Sequence, residues 1–299
     1  MPQDNIYLQR INLVLNYIRE HLNDDLSINT LAQVAYFSPF HFHRIFKTIT
    51  GETLNDVVVR LRLERAMTLL RSTPNMPISE AAFACGFVSA STFSRAFKKH
   101  YGISARSWDR QTPLQERKNG QVLEGFPHYT VESLSEIEQT KEFEVRLRPM
   151  PAQRLAYVRV YVSYEPNAIL AGYQRLITWY QEQGGKLAQA MLFGMSQDDP
   201  EITPRELYRF DWCISVPEDW KIEGDIHEWR FPGCHIAYVQ CVGDIYKEMR
   251  AWQYMFRYWL PRSRFQPDNL PAMEIYCRLP EEIGWETFDI ECAVPVVAL

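Results

Sequence analysis

The chain has 299 residues, enough for two domains with their own cores, and its 46% hydrophobic and 23% charged residues are globular proportions. No apolar run is long enough to span a membrane, and the polar start MPQDNIYLQR lacks an export-signal core. The net charge of -5 hides an asymmetry: residues 1–110 carry 13 Lys and Arg against 9 Asp and Glu, while the remainder carries 19 against 28. The first third therefore suits phosphate and the rest does not. Six cysteines occur without a CxxC pair or a Cys/His cluster, which argues against zinc and a disulfide framework and fits reduced thiols in the cytoplasm.

Residues 6–22 predict a helix with Ile11, Leu15 and Ile18 on one face. Asn23, Asp24 and Asp25 break it. Ser27 then caps a short helix, and Ser38-Pro39 opens a second one over residues 39–50. Phe42, Ile45, Phe46 and Ile49 are its buried stripe. Residues 53–71 predict a long helix, with Arg60, Arg62 and Arg65 expected at its surface. Residues 79–102 repeat the short pair. Ser79 is expected to cap the first helix and Gly86 to stop it. Ser89 or Ser91 caps the next, which buries Phe93 and Phe97 and shows Ser94, Arg95, Lys98 and Lys99. A helix of small residues, a glycine turn and a basic second helix form a helix-turn-helix pattern. The pattern occurs twice: residues 28–35 align with 78–85 at an offset of fifty, and Phe42, Arg44, Phe46, Lys47 and Gly51 align with Phe93, Arg95, Phe97, Lys98 and Gly102 after one inserted residue.

This pair resembles the DNA-binding domain of the AraC/XylS transcription regulators over roughly residues 6–108. The resemblance rests on Leu31-Ala32, Phe37-Ser38, Arg44-Ile45-Phe46-Lys47, Arg62-Leu63-Glu64-Arg65-Ala66, Gly86-Phe87 and Arg95-Ala96-Phe97-Lys98. Leu54 and Ala105 stand where the family often has proline. The resemblance implies base contact from Phe40, His43 and Arg44 on the first reading helix. On the second it implies Ala90, Ser91, Ser94 and Arg95. Lys47 and Lys98 would touch phosphate. The long helix would be the rigid connector that sets two readers in successive major grooves, about 34 Å apart.

Residues 109–141 are polar, with Pro113, Gly120, Gly125 and Pro127, and predict a linker. Beyond it the texture alternates. Strands are expected at EFEVRLRPM, RLAYVRVYVSY, MLFGMS and RFDWCISVP, with a helix over 166–183. The order then returns: CHIAYVQCVG, a helix over 246–260, PAMEIYCRLP and TFDIECAVPV. The expected fold is multidomain. An all-α N-terminal domain (1–108) with two helix-turn-helix motifs precedes an α+β domain (142–299) of duplicated β-α-β-β units.

The second half resembles the GyrI-like (SHS2-type) effector-binding domain, on Gly243-Asp244-Ile245-Tyr246, on residues 271–276 and on Asp289-Ile290-Glu291…Val294-Pro295. Aromatics are frequent there, among them Tyr161, Trp212, Trp252 and Tyr276. A cleft between the repeats, lined by aromatic faces and a carboxylate, would attract a cationic or amphipathic molecule. The resemblance places the pocket carboxylate at Glu274, with Glu291 as a second candidate and Tyr276, Trp212 and Tyr161 beside them. The expected protein is a cytoplasmic, sequence-specific transcription regulator with duplex DNA and a small effector as partners. No catalytic residue, metal or cofactor is expected. In an alternative, a pocket glutamate and its aromatics hydrolyse small electrophiles. In a third, the second half binds only protein, such as a sibling chain or RNA polymerase.

Overall fold

A computed structural model describes residues 2–110, 135, 137, 141–161, 166–199 and 203–299. Most of the predicted linker lies outside the described residues, but Ile137 is buried in the core of the second half.

Six helices make up the first third. Helix α1 (Pro2–Glu20) buries Ile11, Val14, Leu15 and Ile18 against α2 (Ile28–Val34) and α3 (Pro39–Thr50). Helices α5 (Ile78–Ala84) and α6 (Ala90–Tyr101) form the second hairpin. Between them runs α4 (Leu54–Ser72), whose 19 residues span about 28 Å at 1.5 Å per residue. Its N-terminal half gives Leu54, Val57, Val58 and Leu61 to the first hairpin's core. Its C-terminal half gives Leu63, Ala66, Met67, Leu69 and Leu70 to the second. One helix thus serves as the spine of two small cores.

Local chemistry sets the helix ends. Ser27, Thr53 and Ser89 accept from the backbone N–H three residues on, as capping requires. The choice between Ser89 and Ser91 falls to Ser89. Ser79 does not cap α5: the helix begins a residue earlier, behind Pro77, whose extended backbone makes it the N-cap. The expectation that Arg60, Arg62 and Arg65 lie at the surface also fails. Arg60 is buried, and Arg62 and Arg65 are half-buried. Each spends its guanidinium on at least one partner distant in sequence: Arg60 on Asp198, Arg62 on the Leu22 carbonyl and Arg65 on the carbonyls of Pro267 and Asp268.

The described residues of the second half form a nine-stranded sheet in the order β1-β6-β9-β8-β3-β4-β2-β5, with β7 also on β9, and each of these pairs is antiparallel. The strands are β1 (Arg146–Met150), β2 (Gln153–Tyr161), β3 (Leu192–Ser196), β4 (Arg209–Ser215), β5 (His227–Phe231), β6 (Cys234–Gly243), β7 (Phe265–Pro267), β8 (Met273–Tyr276) and β9 (Phe288–Ala298). The duplication is visible: β2, α7 (Pro166–Glu182), β3 and β4 form one unit, and β6, α8 (Ile245–Gln253), β8 and β9 the other. They join where β3 pairs β8. The helix expected over 246–260 instead leaves α geometry at Tyr254, passing through a π-helical stretch (Tyr254–Trp259) and a short 3-10 turn (Leu260–Arg262). Strands β5 and β7 escaped the sequence pattern, because neither has a clean burial alternation.

Candidate DNA interface and candidate ligand cleft

The two reading helices share one frame. Both stand behind a serine N-cap and end at a left-handed glycine, Gly51 at φ 76° and Gly102 at φ 74°. Phe42 and Phe46, like Phe93 and Phe97, are fully buried. On the outer face of α3, Phe40, His43, Arg44 and Lys47 are exposed, Phe40 to 78%. On α6, Ser91, Ser94, Arg95 and Lys98 are exposed and Ala90 is half-buried. No ion pair holds Arg44 or Arg95 among the described residues. All nine residues inferred for DNA contact thus lie along the outward sides of two helices held by one spine.

The ligand cleft lies where the two repeats meet. Successive residues of a strand face opposite sides of a sheet. Glu274 and Tyr276 of β8 therefore share a face with Trp212 of β4, the face covered by α7 and α8. Tyr276 packs on the cores of both repeats. Its hydroxyl donates to Glu274 Oε2 at 2.9 Å. Around it, Trp212 stands 5.4 Å from the Tyr276 ring, with Tyr173 and Phe210 at 5.0 and 5.2 Å from Trp212. Trp285 closes the group edge-on to Tyr173 at 4.9 Å and is 42% exposed. A narrow space of about 10 Å³ lies beside Tyr276, lined also by Arg278, Trp285, Phe288 and Asp289; Glu274 and Trp212 lie behind Tyr276 and do not line it.

A second carboxylate comes from α8. Glu248 is buried, accepts from Trp252 Nε1 at 3.0 Å and lies close enough to Glu274 for the two carboxyls to act on each other. Burial pushes the Glu274 carboxyl up to about 7. Burial and the neighbouring Glu274 push Glu248 well above the usual carboxylate range. Gly194 of β3 makes room for the pair: a Cβ there would sit 2.6 Å from the Phe210 ring and 2.7 Å from Glu274 Oε2. Glu248, Gly194, Tyr173 and Trp285 were not foreseen as site residues. The legible signal was Glu248 itself, an acid in the apolar stripe that Ala251 and Met255 continue.

Two inferred ligand residues belong elsewhere. Tyr161 of β2 points to the opposite face, where its hydroxyl donates to Asn12 Oδ1 of α1 at 2.7 Å. Glu291 of β9 also faces away from Glu274: Cys292, not Glu291, is the register partner of Glu274. Glu291 pairs with Arg148 at 2.5 Å.

That opposite face is where the helical third docks. Arg159 of β2 holds Asp211 of β4 in a two-point pair at 2.7 and 2.8 Å, and its Nη2 reaches Asn16 of α1 at 2.8 Å. Arg60 of α4 holds both carboxylate oxygens of Glu52 at 2.7 and 3.0 Å, and Glu64 and Asp198 at 2.9 Å each. Arg209 holds Asp198 from the other side at 2.6 Å. Burial alone would raise the Asp198 carboxyl, but Arg209 and Arg60 drive it well below its usual range. Thr203 donates to Glu64, which burial pushes up to about 7. Arg65 donates to the carbonyls of Pro267 and Asp268 at 2.5 and 2.7 Å. Strands β3 and β4 thus carry the ligand cleft on one face and lead to the docking contacts on the other.

A paired reader on one side and an aromatic, acidic cleft on the other define a helix-turn-helix protein joined to a small-molecule binding module. The GyrI-like small molecule binding domain family matches residues 143–297, and a helix-turn-helix domain family matches 31–111. The chain belongs to the GyrI-like family, and its first third is an AraC-type helix-turn-helix domain. LumQ of Photobacterium leiognathi, named a probable transcriptional regulator, is 39% identical over 32% of this chain and 40% of its own. The bifunctional transcriptional activator/DNA repair enzyme AdaA of Bacillus subtilis is 31% identical over 37% and 52%. The regulatory protein SoxS of Salmonella typhimurium is 34% identical over 31% and 86%. The chain spans about half or less of the first two relatives.

Proposed function

We propose that the chain is a sequence-specific DNA-binding transcription regulator whose C-terminal domain binds a small aromatic cation and adjusts DNA binding accordingly. One observation carries this reading: the helical third docks through α1 and α4, so both reading faces stay open while the ligand cleft faces away. Arg44 is the residue best suited to bidentate contact with guanine. Lys47 and Lys98 suit phosphate. In the cleft, Glu274 supplies charge, and Tyr276, Trp212 and Trp285 supply aromatic faces for the cation. The space beside Tyr276 is about 10 Å³, room for about one water and far below the roughly 300–1,000 Å³ of drug-sized sites, so a ligand requires Trp285 to give way.

Coupling in this reading is a population shift, in which the effector prefers one docking arrangement. Trp212 packs on Tyr276 and its neighbour Asp211 pairs with Arg159 against α1, so a ligand that moves β4 acts on both. No feature of the cleft favours hydrolysis over binding, and a cytoplasmic location accompanies the regulator reading. RNA polymerase enters this reading only through promoter binding. The test is DNA selection with the full-length protein at fixed salt, repeated with aromatic cations. Two short determinants about one helical turn apart, with selection or affinity changed by a cation, are the expected result. Salt-sensitive binding without sequence preference would sink it.

A further inference from the structure

The chain between β8 and β9 crosses the aromatic group as a strap with two fixed feet. Cys277 and Arg278 donate their backbone N–H groups to the Asp289 carbonyl at 2.9 and 3.3 Å, and Arg278 Nε donates to Asp289 Oδ2 at 2.6 Å. Between the feet, Leu279 packs on the core of the first repeat and Pro280 is buried at the start of a short helix, Pro280–Ile283. That helix ends at Gly284, left-handed at φ 84°, where a Cβ would meet nothing within 4 Å, so glycine serves the backbone there and not a tight contact. The exposed tip is tied back at two places. Glu281 Oε2 accepts from the hydroxyl of the buried Tyr173 at 2.5 Å. Trp285 makes T-shaped contacts with Tyr173 at 4.9 Å and Trp212 at 6.4 Å. Among the described residues, no hydrogen bond holds the Trp285 indole. Ile283, Gly284, Trp285 and Thr287 form one wall of the narrow space beside Tyr276. The space is small because the strap lies over it, and lifting the tip breaks one hydrogen bond and a few ring contacts.

We propose that this strap is the gate of the ligand cleft, latched by the Tyr173–Glu281 bond, and that Trp285 is the occupant it presents to Tyr173 and Trp212 when no ligand is bound. The inference rests on the ligand-cleft reading and adds how the site opens. A T-shaped contact sets the positive edge of one ring against the negative face of another. An aromatic cation brings both a ring and a positive charge, so it can take the place of Trp285 against those two rings. The strap turns at Gly284, the latch breaks and the Glu281 carboxylate passes to water, where it is well solvated. Trp285 then closes on the outer side of the ligand. The latch belongs to the closed, unliganded state alone. Apparent affinity is the affinity of the open site reduced by the fraction of molecules that are open, so a weaker latch gives tighter binding.

The test is Tyr173→Phe in the full-length protein, which removes the latch hydroxyl, keeps the ring and leaves Glu281 charged. Without ligand, amide exchange over residues 281–287 should rise about tenfold while exchange in β3 and β4 keeps its native rate. Calorimetric titration with ethidium should then show about tenfold tighter binding than the native protein, the open fraction having risen by that factor. The thermal midpoint checks that the variant folds, and Glu281→Ala, at an exposed position, repeats the exchange measurement if it does not. Unchanged exchange in the strap would overturn the gate and leave the ligand-cleft reading standing. So would faster exchange with equal ethidium affinity in the native and Tyr173→Phe proteins, because the ligand then enters without passing Trp285. If neither ethidium nor tetraphenylphosphonium binds either protein, the ligand-cleft reading falls and the gate falls with it.

Discussion

The first and second hairpins differ most at a single backbone position. Tyr36 and Gly86 occupy the same place after their short helices, and both are left-handed, at φ 55° and 79°. Each sends its N–H back to an equivalent carbonyl, Gln33 or Phe83. Tyr36 stands 76% exposed, its carbonyl held by Arg10 Nη1 at 3.0 Å. Gly86 is wedged between the end of α1 and the connector helix, where a Cβ would lie 2.4 Å from the Leu22 carbonyl oxygen and 2.9 Å from Arg62 Nε. Arg62 in turn donates to that same carbonyl at 2.8 Å. The first turn therefore tolerates a large side chain at the cost of strain, and the second cannot take even a methyl group. The side chains held out to solvent follow the same division. The first reader offers Phe40, His43 and Arg44; the second offers Ser91, Ser94 and Arg95 beside a half-buried Ala90. The contrast points to a first hairpin that reads bases with large groups and a second placed accurately to grip the backbone.

Two substitutions test the placement half of that contrast. The largest effect is expected from Arg60→Ala, which strips the buried guanidinium from Glu52, Glu64 and Asp198 at once. Removing one member of a buried ion network costs about 3–5 kcal/mol. Glu52 directly follows the glycine that ends α3, so amide exchange should rise more in the first hairpin than in the second. Equal loss in both would mean that the effector domain braces the whole helical third uniformly. Next comes Gly86→Ala, expected to cost about 3 kcal/mol: left-handed strain of about 1–2 kcal/mol plus a disturbed buried hydrogen bond. Tyr36→Gly should lie within about 1 kcal/mol of the native chain, relief of strain offsetting the greater freedom of unfolded glycine. Urea unfolding measures both. A Gly86→Ala chain as stable as the native one would remove the asymmetry.

Much of this was legible because it is periodic. The reading helices, their buried phenylalanines and their glycine stops repeat at fixed spacing, and Phe42 and Phe93 fall where the pattern puts them. Glu274, Tyr276 and Trp212 meet because strand alternation puts them on one face. What was not legible depends on pairing between distant strands and helices. Tyr161 and Glu291 are as aromatic or acidic as Trp212, Tyr276 and Glu274, and only register sends them to the other face. Arg60 reads as surface because its partner Asp198, which Arg209 holds from the other side, lies more than a hundred residues away. Ser79 looked like a cap because a serine before an acid fits the rule, but Pro77 already supplies the extended residue that starts the helix.

The recognition half of the contrast is tested on DNA. Arg44→Ala should lose about 1–3 kcal/mol of discrimination at one base step, while the corresponding Arg95→Ala loses less. Selection with each variant decides it, and a larger loss at Arg95 would reverse the roles of the two hairpins. A smaller, pH-dependent effect belongs to the brace. Glu64 is raised to about 7 by burial, so its contribution to stability is full below the unfolded value near 4.5 and is lost as pH rises through 7. Glu64→Gln should therefore flatten the fall in thermal midpoint between pH 5 and 8, by an amount on the order of 1 kcal/mol. An unchanged slope would mean that Glu64 does not carry the pH dependence.

The smallest effect is expected at Lys98, and it separates gripping from reading most cleanly. Lys98 is exposed on the last turn of α6, where its charge also suits the helix C-terminus. A phosphate contact carries no sequence information, so Lys98→Ala should weaken every site by a similar factor and leave the selected sequence unchanged. The slope of log affinity against log salt should fall by about 1, the value of one released counterion. Lys47→Ala at the matching position of α3 is the control, and it should reduce the slope equally. Were Lys98→Ala to shift the selected sequence while Lys47→Ala did not, the second hairpin would be reading through its long side chains. Its small N-terminal residues would then serve to let the helix sink deeper into the groove.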